Sequence, residues 1–335
     1  MSSEEIKTEI NFIASKINHF IINNISGEPF GLYTPSLHYI KSGGKRLRPF
    51  MTIKSCQLLN GNLQSSLPAA ASIELIHNFT LVHDDIMDND NIRHNVTTVH
   101  RQFGIPLAIL AGDVLFSKAF QVISIYGKRV GIEQSVLLRM VELLSNACRD
   151  VCEGQALDLQ MAQEDEFSST DSYIKMIRKK TAALFRVSCE LGTLSSSDFS
   201  EKDLENMSGY GEKIGIAFQL IDDLIGIYGD SKVTGKFVGN DIREGKKTLP
   251  ILLSFQNLNS TDRDSLKQLF GSKNAKDSEI AEMVRKIAEI KVDEEVRDIA
   301  NSYAEEAFNT IKTYDRSPAL ISLQNSAKYI VERSL

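Results

Sequence analysis

Long segments in which apolar residues recur three and four positions apart constrain the fold of this chain more than any other feature. Such segments cover residues 69–88, 135–162, 172–194 and 204–229, whereas no alternating run of convincing length indicates a sheet. The breaks at residues 42–49, 89–104 and 229–247 are too short to be linkers between domains. We therefore predict a single all-α domain over residues 1–335.

Charge and hydropathy narrow the class of protein. The 335 residues carry a net charge of -6, which argues against a general nucleic-acid binder because that function needs a broad basic excess. No run of 18 apolar residues occurs, and the acidic, then amphipathic start fits no signal peptide. We therefore expect a cytoplasmic protein without a membrane span. After residue 255 the chain turns polar, and we expect residues 256–335 to form peripheral helices.

Four aspartates stand in the stretch LVHDDIMDND, residues 81–90, directly after an apolar run. On a helix Asp84 and Asp88 lie one turn apart on the same side, and His77 and Thr80 join that stripe. Stacked carboxylates cost stability unless a cation binds them, and carboxylate oxygens suit Mg²⁺. A solvated acidic helix end is the alternative interpretation of this stretch taken alone.

A second acidic pair weakens that alternative. The segment FQLIDDLIG, residues 218–226, again places two aspartates, Asp222 and Asp223, behind an apolar helical run. Helices that face each other would form one cavity with acidic groups on opposite walls.

Basic residues alternate along the chain with the two acidic pairs. Lys45, Arg46 and Arg48 follow a pair of glycines, which indicates a flexible anion-binding loop. Arg93 follows the first acidic pair. The remaining basic groups are Lys179 and Lys180, next to Thr181, and Lys236, Arg243, Lys246 and Lys247. This alternation is expected where metal ions and cations together bind phosphates in an apolar cavity.

Seven motifs resemble, in their order, those of the all-α trans-isoprenyl diphosphate synthases. They are GGKRLRP, LVHDDIMD, AGDVLFSKAF, EGQALD, KTAALF, FQLIDD and GNDIREGKKTLP, and they lie within residues 40–250. The chain is most similar to archaeal-type short-chain enzymes that make geranylgeranyl diphosphate. The resemblance implies one large helical bundle around a central cavity and a homodimer. It also implies transfer of isopentenyl diphosphate onto allylic diphosphates of five to fifteen carbons.

The resemblance further implies a role for each matching residue. Two groups of residues would bind the substrates and metal: Lys45, Arg48 and His77 would bind isopentenyl diphosphate, and Asp84, Asp88 and Asp222 would bind two or three magnesium ions per active site, with Asp85 and Asp223 as further catalytic carboxylates. The departing diphosphate would be neutralised by Arg93, Lys180, Lys236 and Lys246. The allylic cation would be stabilised by Thr181 and Gln219, and the cavity would be lined by Gln155 and Asp158. The reaction would ionise a C–O bond, join the isopentenyl double bond to the cation and release a proton. Cations that stabilise leaving-group charge and a pocket without water suit that chemistry.

Three positions depart from the family pattern. His94 and Asn95 stand where the family has a second arginine, which contacts isopentenyl diphosphate, and a glycine. A histidine with a pKa of about 6.5 is fully charged only below neutral pH, so we predict weak binding of isopentenyl diphosphate that tightens at lower pH. Thr97 replaces the usual proline. Gly226 replaces the third aspartate of the second acidic motif, as it often does in archaeal-type relatives.

Bulk upstream of the first aspartate pair limits product length in this family. Phe79, five positions before Asp84, is the only aromatic residue there, which goes with a C20 product. On a helical wheel Phe79 lies about 140° from the Asp84 stripe. The floor of the product tunnel therefore has an alternative source in another segment, residues 114–120, and Phe79 has an alternative role as a simple core residue.

Other functions fit these motifs less well. A terpene cyclase shares the first acidic motif but normally has an Asn/Ser/Glu metal motif second and no GGKRLRP loop. A phosphohydrolase, suggested by His83 beside Asp84, lacks further suitably placed histidines. A non-catalytic, prenyl diphosphate-binding partner subunit tends to lose one acidic pair, whereas both are present here. It stays an alternative, as do farnesyl and geranylfarnesyl diphosphate synthases.

Overall fold

All four segments with helical periodicity are helical in the computed structural model, which describes residues 3–164, 169–229, 238–272 and 274–332. The prediction of an all-α fold is confirmed. The helices are α1 (Ser3–Asn24), α2 (Phe30–Ser36), α3 (His38–Ser42), α4 (Leu47–Leu58), α5 (Leu63–Met87), α6 (Val99–Phe103), α7 (Ile105–Arg129), α8 (Gln134–Gln163), α9 (Thr170–Ile177), α10 (Ala183–Leu194), α11 (Glu201–Tyr228), α12 (Asn240–Glu244), α13 (Leu249–Asn257), α14 (Ser260–Leu269), α15 (Asp277–Glu289), α16 (Val292–Ile311) and α17 (Pro318–Val331).

Reciprocal hydrogen bonds fix the start of the two helices that carry the aspartate pairs. At α5 the Asn62 Oδ1 accepts the Ser65 backbone N–H at 3.0 Å, and the Ser65 hydroxyl accepts the Asn62 N–H at 3.4 Å. At α11 the Ser200 hydroxyl accepts the Asp203 backbone N–H at 3.2 Å, and the Asp203 carboxylate accepts the Ser200 backbone N–H at 2.8 Å. Each aspartate pair therefore lies near the C-terminal end of a helix whose start is defined locally.

A two-stranded antiparallel ribbon follows the first acidic pair. Its strands are β1 (Ile92–Arg93) and β2 (Val96–Thr97), with Arg93 paired to Val96. The two turn residues, His94 and Asn95, have φ angles of 50° and 62°. A two-residue hairpin turn needs this left-handed conformation, which asparagine adopts at little cost. Asn95 therefore adopts the left-handed backbone conformation that glycine, the usual residue of the family at this position, also allows.

A π-helical turn, Arg178–Ala182, separates α9 from α10 and interrupts the third segment. The turn carries Lys180 and Thr181. Gly154 of α8 lies against it, because a Cβ at Gly154 would stand 2.2 Å from the backbone N of Lys180. Single π-turns inside helices are frequent at functional sites.

The chain forms two compact units, each made of separate stretches of sequence. The first comprises Met1–Cys148, Leu184–Gly211 and Ile311–Ser326, and the second comprises Arg149–Ala183, Glu212–Thr310 and Ala327–Leu335. In the first unit α7 packs against α5, where the Ser72 hydroxyl donates to the Ala119 carbonyl at 2.8 Å. The single domain over residues 1–335 stays a prediction.

The core of the second unit joins α11 to the C-terminal helices. Leu220 and Leu224, on either side of the second aspartate pair, belong to one buried cluster with Ile287 of α15 and Val296 of α16. The polar C-terminal segment therefore supplies part of the core that holds the α11 aspartates in place.

Within the described residues, α7 is long and apolar enough, with a mean hydropathy of 1.5, to cross a membrane by length and composition. One side of the helix is buried at Ala108, Ala111 and Leu115, whereas Ile105 and Leu110 are 52% and 50% exposed. The absence of a membrane span stays a prediction.

Candidate active site

Asp84 and Asp88 lie at the C-terminal end of α5, in the first unit. Asp84 is partly exposed, and Asp88, the C-cap residue directly after Met87, is exposed; the Asp88 N–H donates to the Asp84 carbonyl at 2.8 Å. The two carboxylates are thus one turn apart, as predicted. The C-terminal end of a helix carries partial negative charge, so this end of α5 favours a cation.

Asp85 differs from its neighbours because its side chain is fully buried. The Asp85 Oδ1 accepts hydrogen bonds from Nε and Nη2 of Arg93 at 2.8 and 2.5 Å, and its Oδ2 accepts the hydroxyl of Tyr39. Arg93 also donates to the Asp90 carboxylate at 3.2 Å. Asp85 therefore fixes the predicted diphosphate-binding Arg93 next to the first acidic pair.

The loop GGKRLRP divides its basic residues between the interior and the surface. Arg46 is buried, with Nη1 at 2.9 Å from Glu74 Oε1, Nε donating to Asn18 and Nη2 donating to the Ile40 carbonyl, both at 2.9 Å. Lys45 beside it is exposed. Arg46 therefore anchors the loop, and Lys45 is left at its surface.

Arg48 and His77, both predicted to bind isopentenyl diphosphate, lie together in the first unit. The Nη1 of Arg48 is 3.4 Å from Nε2 of His77, and its guanidinium stacks over Phe185 at 4.5 Å. Burial, followed by the charges of Arg48 and Arg46, lowers the pKa of His77 well below its usual 6.5. His77 is thus a neutral imidazole, in which one ring nitrogen donates a hydrogen bond and the other accepts one.

His94 joins this group from the turn of the ribbon. A Cβ at Gly44 would lie 3.8 Å from Cε1 of His94, which places the histidine beside the basic loop. Although the side chain is exposed, partial desolvation first, and then Arg93 and Arg46, lowers the pKa of His94, with Asp85 acting against them. The structure therefore brings His94 to the predicted place but leaves it uncharged at neutral pH.

Phe79 packs in a row of aromatic rings between α5 and α7. Its ring centroid is 4.8 Å from that of His83 and 5.2 Å from that of Phe116, which in turn lies 5.1 Å from Phe120. Both candidates for the tunnel floor, Phe79 and the segment 114–120, therefore meet in one cluster. Whether this cluster limits product length stays a prediction.

The second acidic pair repeats the contrast of the first, in the second unit. Asp222 is partly exposed, whereas Asp223 is buried and accepts the hydroxyl of Tyr173. The Asp223 Oδ1 accepts Nε2 of Gln219 at 2.9 Å, and Gln219 Oε1 accepts the Thr181 hydroxyl at 2.7 Å. Burial raises the pKa of Asp223 to about 8, and the bonds from Tyr173 and Gln219 oppose that shift.

Lys180 and Asp158 form the other predicted contact of the second unit. The Lys180 Nζ is 2.5 Å from Asp158 Oδ2, which ties the π-turn to α8. Gln155, one turn before Asp158, is buried, and its Oε1 has no hydrogen-bond partner. Lys246 lies in the same unit and pairs with Glu244 at 2.6 Å. The predicted Lys236 lies outside the described residues.

A further carboxylate occupies the position that Gly226 leaves open. A Cβ at Gly226 would lie 2.5 Å from Oδ2 of Asp241, a buried residue of α12. The absence of a side chain at 226 therefore makes room for Asp241. Sequence spacing did not indicate this contact, because Asp241 comes from a different helix.

The donor atoms of Asp84 and Asp88 fit magnesium. Asp84 and Asp88 offer only carboxylate oxygens, and no group of three or more His, Cys, Asp and Glu side chains among the described residues is arranged to hold a metal ion. Mg²⁺ is usually bound by one or two carboxylates and completes its shell with water and phosphate oxygens. The residues thus fit an ion that binds together with a diphosphate.

Comparison with known proteins identifies the family. Residues 31–287 match the family model described as polyprenyl synthetase. The chain belongs to the polyprenyl synthetase family. It is 43% identical over 253 residues, 76% of this chain and 75% of the relative, to a short chain isoprenyl diphosphate synthase of Methanocaldococcus jannaschii. Over 336 residues it is 38% identical to the geranylgeranyl pyrophosphate synthase of Geoglobus acetivorans, with 99% of both chains covered.

A solved structure has the same fold as this chain. The geranylgeranyl pyrophosphate synthetase of Pyrococcus horikoshii superposes with a TM-score of 0.88 at 36% identity, over 99% of this chain and 98% of that one. The resemblance drawn from the seven motifs is therefore confirmed.

Proposed function

We propose that this protein is a magnesium-dependent short-chain trans-prenyltransferase that condenses isopentenyl diphosphate with allylic diphosphates of five to fifteen carbons and releases diphosphate. The observation that supports it most is the grouping of Arg48, His77 and His94 in the unit that carries Asp84 and Asp88. A protein that merely bound prenyl chains would not need cationic and metal-binding groups for two diphosphates.

The basic groups of the first unit have separate tasks in this proposal. Lys45, Arg48 and His77 bind isopentenyl diphosphate, with the neutral His77 accepting or donating a single hydrogen bond. Arg93, held by Asp85, presents its charge to the allylic diphosphate. Positive charge fixed beside a leaving group lowers the barrier to breaking the C–O bond.

Residues of the second unit act on the allylic substrate. Lys180, together with Lys236 and Lys246, neutralises the departing diphosphate. The oxygens of Thr181 and Gln219 face the developing cation, and their mutual hydrogen bond of 2.7 Å fixes their orientation. Gln155 and Asp158 line the same cavity.

Magnesium, as two or three ions, would neutralise and polarise the allylic diphosphate when bound. Asp84 and Asp88 would hold magnesium in the first unit, and Asp222 would hold another ion in the second. Their carboxylates are at least partly exposed, as ligands of an ion that arrives with its substrate must be.

Geranylgeranyl diphosphate, with 20 carbons, is the proposed main product. Support comes from the name of the Geoglobus acetivorans relative and from the single aromatic residue, Phe79, upstream of the aspartates. The ring of Phe79 packs against that of Phe116, with 5.2 Å between the ring centroids, so both rings would contribute to the tunnel floor. Farnesyl and geranylfarnesyl diphosphate are the alternative products.

We also propose a cytoplasmic homodimer. The exposed apolar residues Ile105, Ile109 and Leu110 at the start of α7 are the surface that a second copy would cover. Light scattering with size-exclusion chromatography tests this: Leu110→Glu should convert a dimer to a monomer, and a monomeric wild-type protein would contradict the proposal.

Transfer of labelled isopentenyl diphosphate to geranyl diphosphate tests the proposed reaction. The wild-type protein should form extended product with Mg²⁺ and none with EDTA. Asp84→Asn should lower the rate at least a hundredfold, whereas Asp264→Asn, at an exposed position outside the motifs, should leave it unchanged. A folded wild-type protein that binds geranyl diphosphate but forms no product would favour the non-catalytic partner subunit.

A further inference from the structure

The two aspartates within each acidic pair lie in opposite environments. In the first unit Asp84 is partly exposed and Asp85 is fully buried; in the second unit Asp222 is partly exposed and Asp223 is 5% exposed. Buried carboxylates require hydrogen-bond donors, because leaving them unsatisfied is costly. The hydrogen-bond donors of each buried aspartate therefore identify the residues that it holds in place.

Tyr39 holds the buried aspartate of the first pair. Its hydroxyl donates to Asp85 Oδ2, and it also accepts the backbone N–H of Val99, where α6 begins, at 3.1 Å. The other oxygen, Oδ1, receives Nε and Nη2 of Arg93. Tyr39 thus occupies one side of the carboxylate and leaves a single orientation in which Arg93 can bind the other.

Tyr173 holds the buried aspartate of the second pair in the same way. Its hydroxyl donates to Asp223 Oδ2, while Oδ1 accepts Gln219 at 2.9 Å, and Gln219 in turn accepts the Thr181 hydroxyl. Both units therefore contain a buried tyrosine that donates to a buried aspartate, which in turn accepts a hydrogen bond from a residue with a proposed substrate role.

Neither arrangement is a consequence of local sequence. Tyr39 is 46 residues from Asp85 and lies on α3; Tyr173 is 50 residues from Asp223 and lies on α9. Both rings are almost completely buried, at 1% exposure, so phenylalanine would fill the same space. The hydroxyl is the one group that distinguishes tyrosine from phenylalanine at each position.

We propose that Tyr39 and Tyr173 are positioning residues of the prenyl transfer reaction. Tyr39 acts through Asp85 on Arg93, and Tyr173 acts through Asp223 on Gln219 and Thr181. The inference rests on the proposed function, which assigns Arg93 to the allylic diphosphate and Gln219 with Thr181 to the cation.

Removal of one hydroxyl at a time tests the proposal. Tyr39→Phe and Tyr173→Phe should each lower kcat/KM for the allylic diphosphate about tenfold, while KM for isopentenyl diphosphate stays within twofold. The matched control is Tyr210→Phe, which deletes a buried hydroxyl that donates to the Leu323 carbonyl at 2.7 Å. It should lower Tm by a similar amount and leave kcat/KM unchanged. Full kcat/KM in both test variants, or an equal loss in the control, would overturn the proposal.

A double-mutant cycle with Arg93→Gln distinguishes the positioning role of Tyr39 from the proposed role of Arg93 in binding the allylic diphosphate. If Tyr39 acts through Arg93, then Tyr39→Phe should cost less than twofold in the Arg93→Gln background; a further tenfold loss there would contradict it. An impaired Arg93→Gln with an unimpaired Tyr39→Phe overturns the positioning role alone. A fully active Arg93→Gln overturns the proposed role of Arg93, and the role of Tyr39 with it.

Discussion

Replacement of His94 by arginine is expected to strengthen the binding of isopentenyl diphosphate. A guanidinium about 4 Å from a phosphate oxygen gains roughly 4 kcal/mol of gross attraction near a protein surface. His94 is exposed, so solvent screening and the ordering of a long side chain remove much of that gain. A net gain of about 1.4 kcal/mol remains, which lowers KM about tenfold at pH 7.5.

The pH dependence of the effect follows from the pKa of His94. Desolvation and the neighbouring Arg93 and Arg46 lower this pKa below the usual 6.5, so the wild-type histidine is neutral at pH 7.5 and gains charge only in more acidic solution. An arginine is charged throughout this range. The ratio of the wild-type KM to that of His94→Arg should therefore be about ten at pH 7.5 and should approach one as the pH falls.

Steady-state kinetics with labelled isopentenyl diphosphate at saturating allylic diphosphate measures this ratio. Because both proteins share the substrate and His77, the titration of those groups cancels in the ratio. His94→Gln, neutral at every pH, is the control and should keep the weak binding of the neutral wild type. An unchanged KM for His94→Arg at pH 7.5, or a ratio independent of pH, would refute the reasoning.

Three further predictions concern the packing around the site. Phe79→Ala should lengthen the product by at least one isoprene unit in a chromatographic assay; an unchanged length would place the floor on another helix. Glu74→Gln should lower the free energy of unfolding, measured with urea at fixed protein concentration, by about 3 kcal/mol because it leaves a buried arginine unpaired; a loss below about 1 kcal/mol would contradict this. Gly154→Ala, whose Cβ would meet the backbone of Lys180, should lower kcat/KM at least tenfold, whereas Gly31→Ala, where nothing lies within 4 Å, should have no effect.

Helical periodicity and charge pattern were sufficient to predict the fold class and the two acidic helices. The helical spacing of the apolar residues places Asp84 and Asp88 on one side of α5 without knowledge of any other helix, because positions i and i+4 share a face. The loop of Lys45 and Arg48 was predictable for a similar reason, since glycines and basic residues follow each other directly in the chain.

Contacts between distant segments could not be predicted from one sequence. Tyr39 gives no local signal, because a buried tyrosine in a short helix has the same pattern whether or not its hydroxyl binds Asp85. The burial of Arg46, in contrast to the exposed Lys45, likewise depends on Glu74, which lies on another helix and forms an ion pair with Arg46. The two-residue turn at His94 and Asn95 became clear only from its positive φ angles.

Product analysis tests the central claim most directly. The purified protein with Mg²⁺ and labelled isopentenyl diphosphate would be incubated separately with allylic diphosphates of five, ten and fifteen carbons, and the released alcohols would be sized by chromatography. The account predicts a dominant C20 product from all three starters. A dominant C15 or C25 product would contradict the assigned chain length, and no elongation at any pH would contradict the proposed reaction itself.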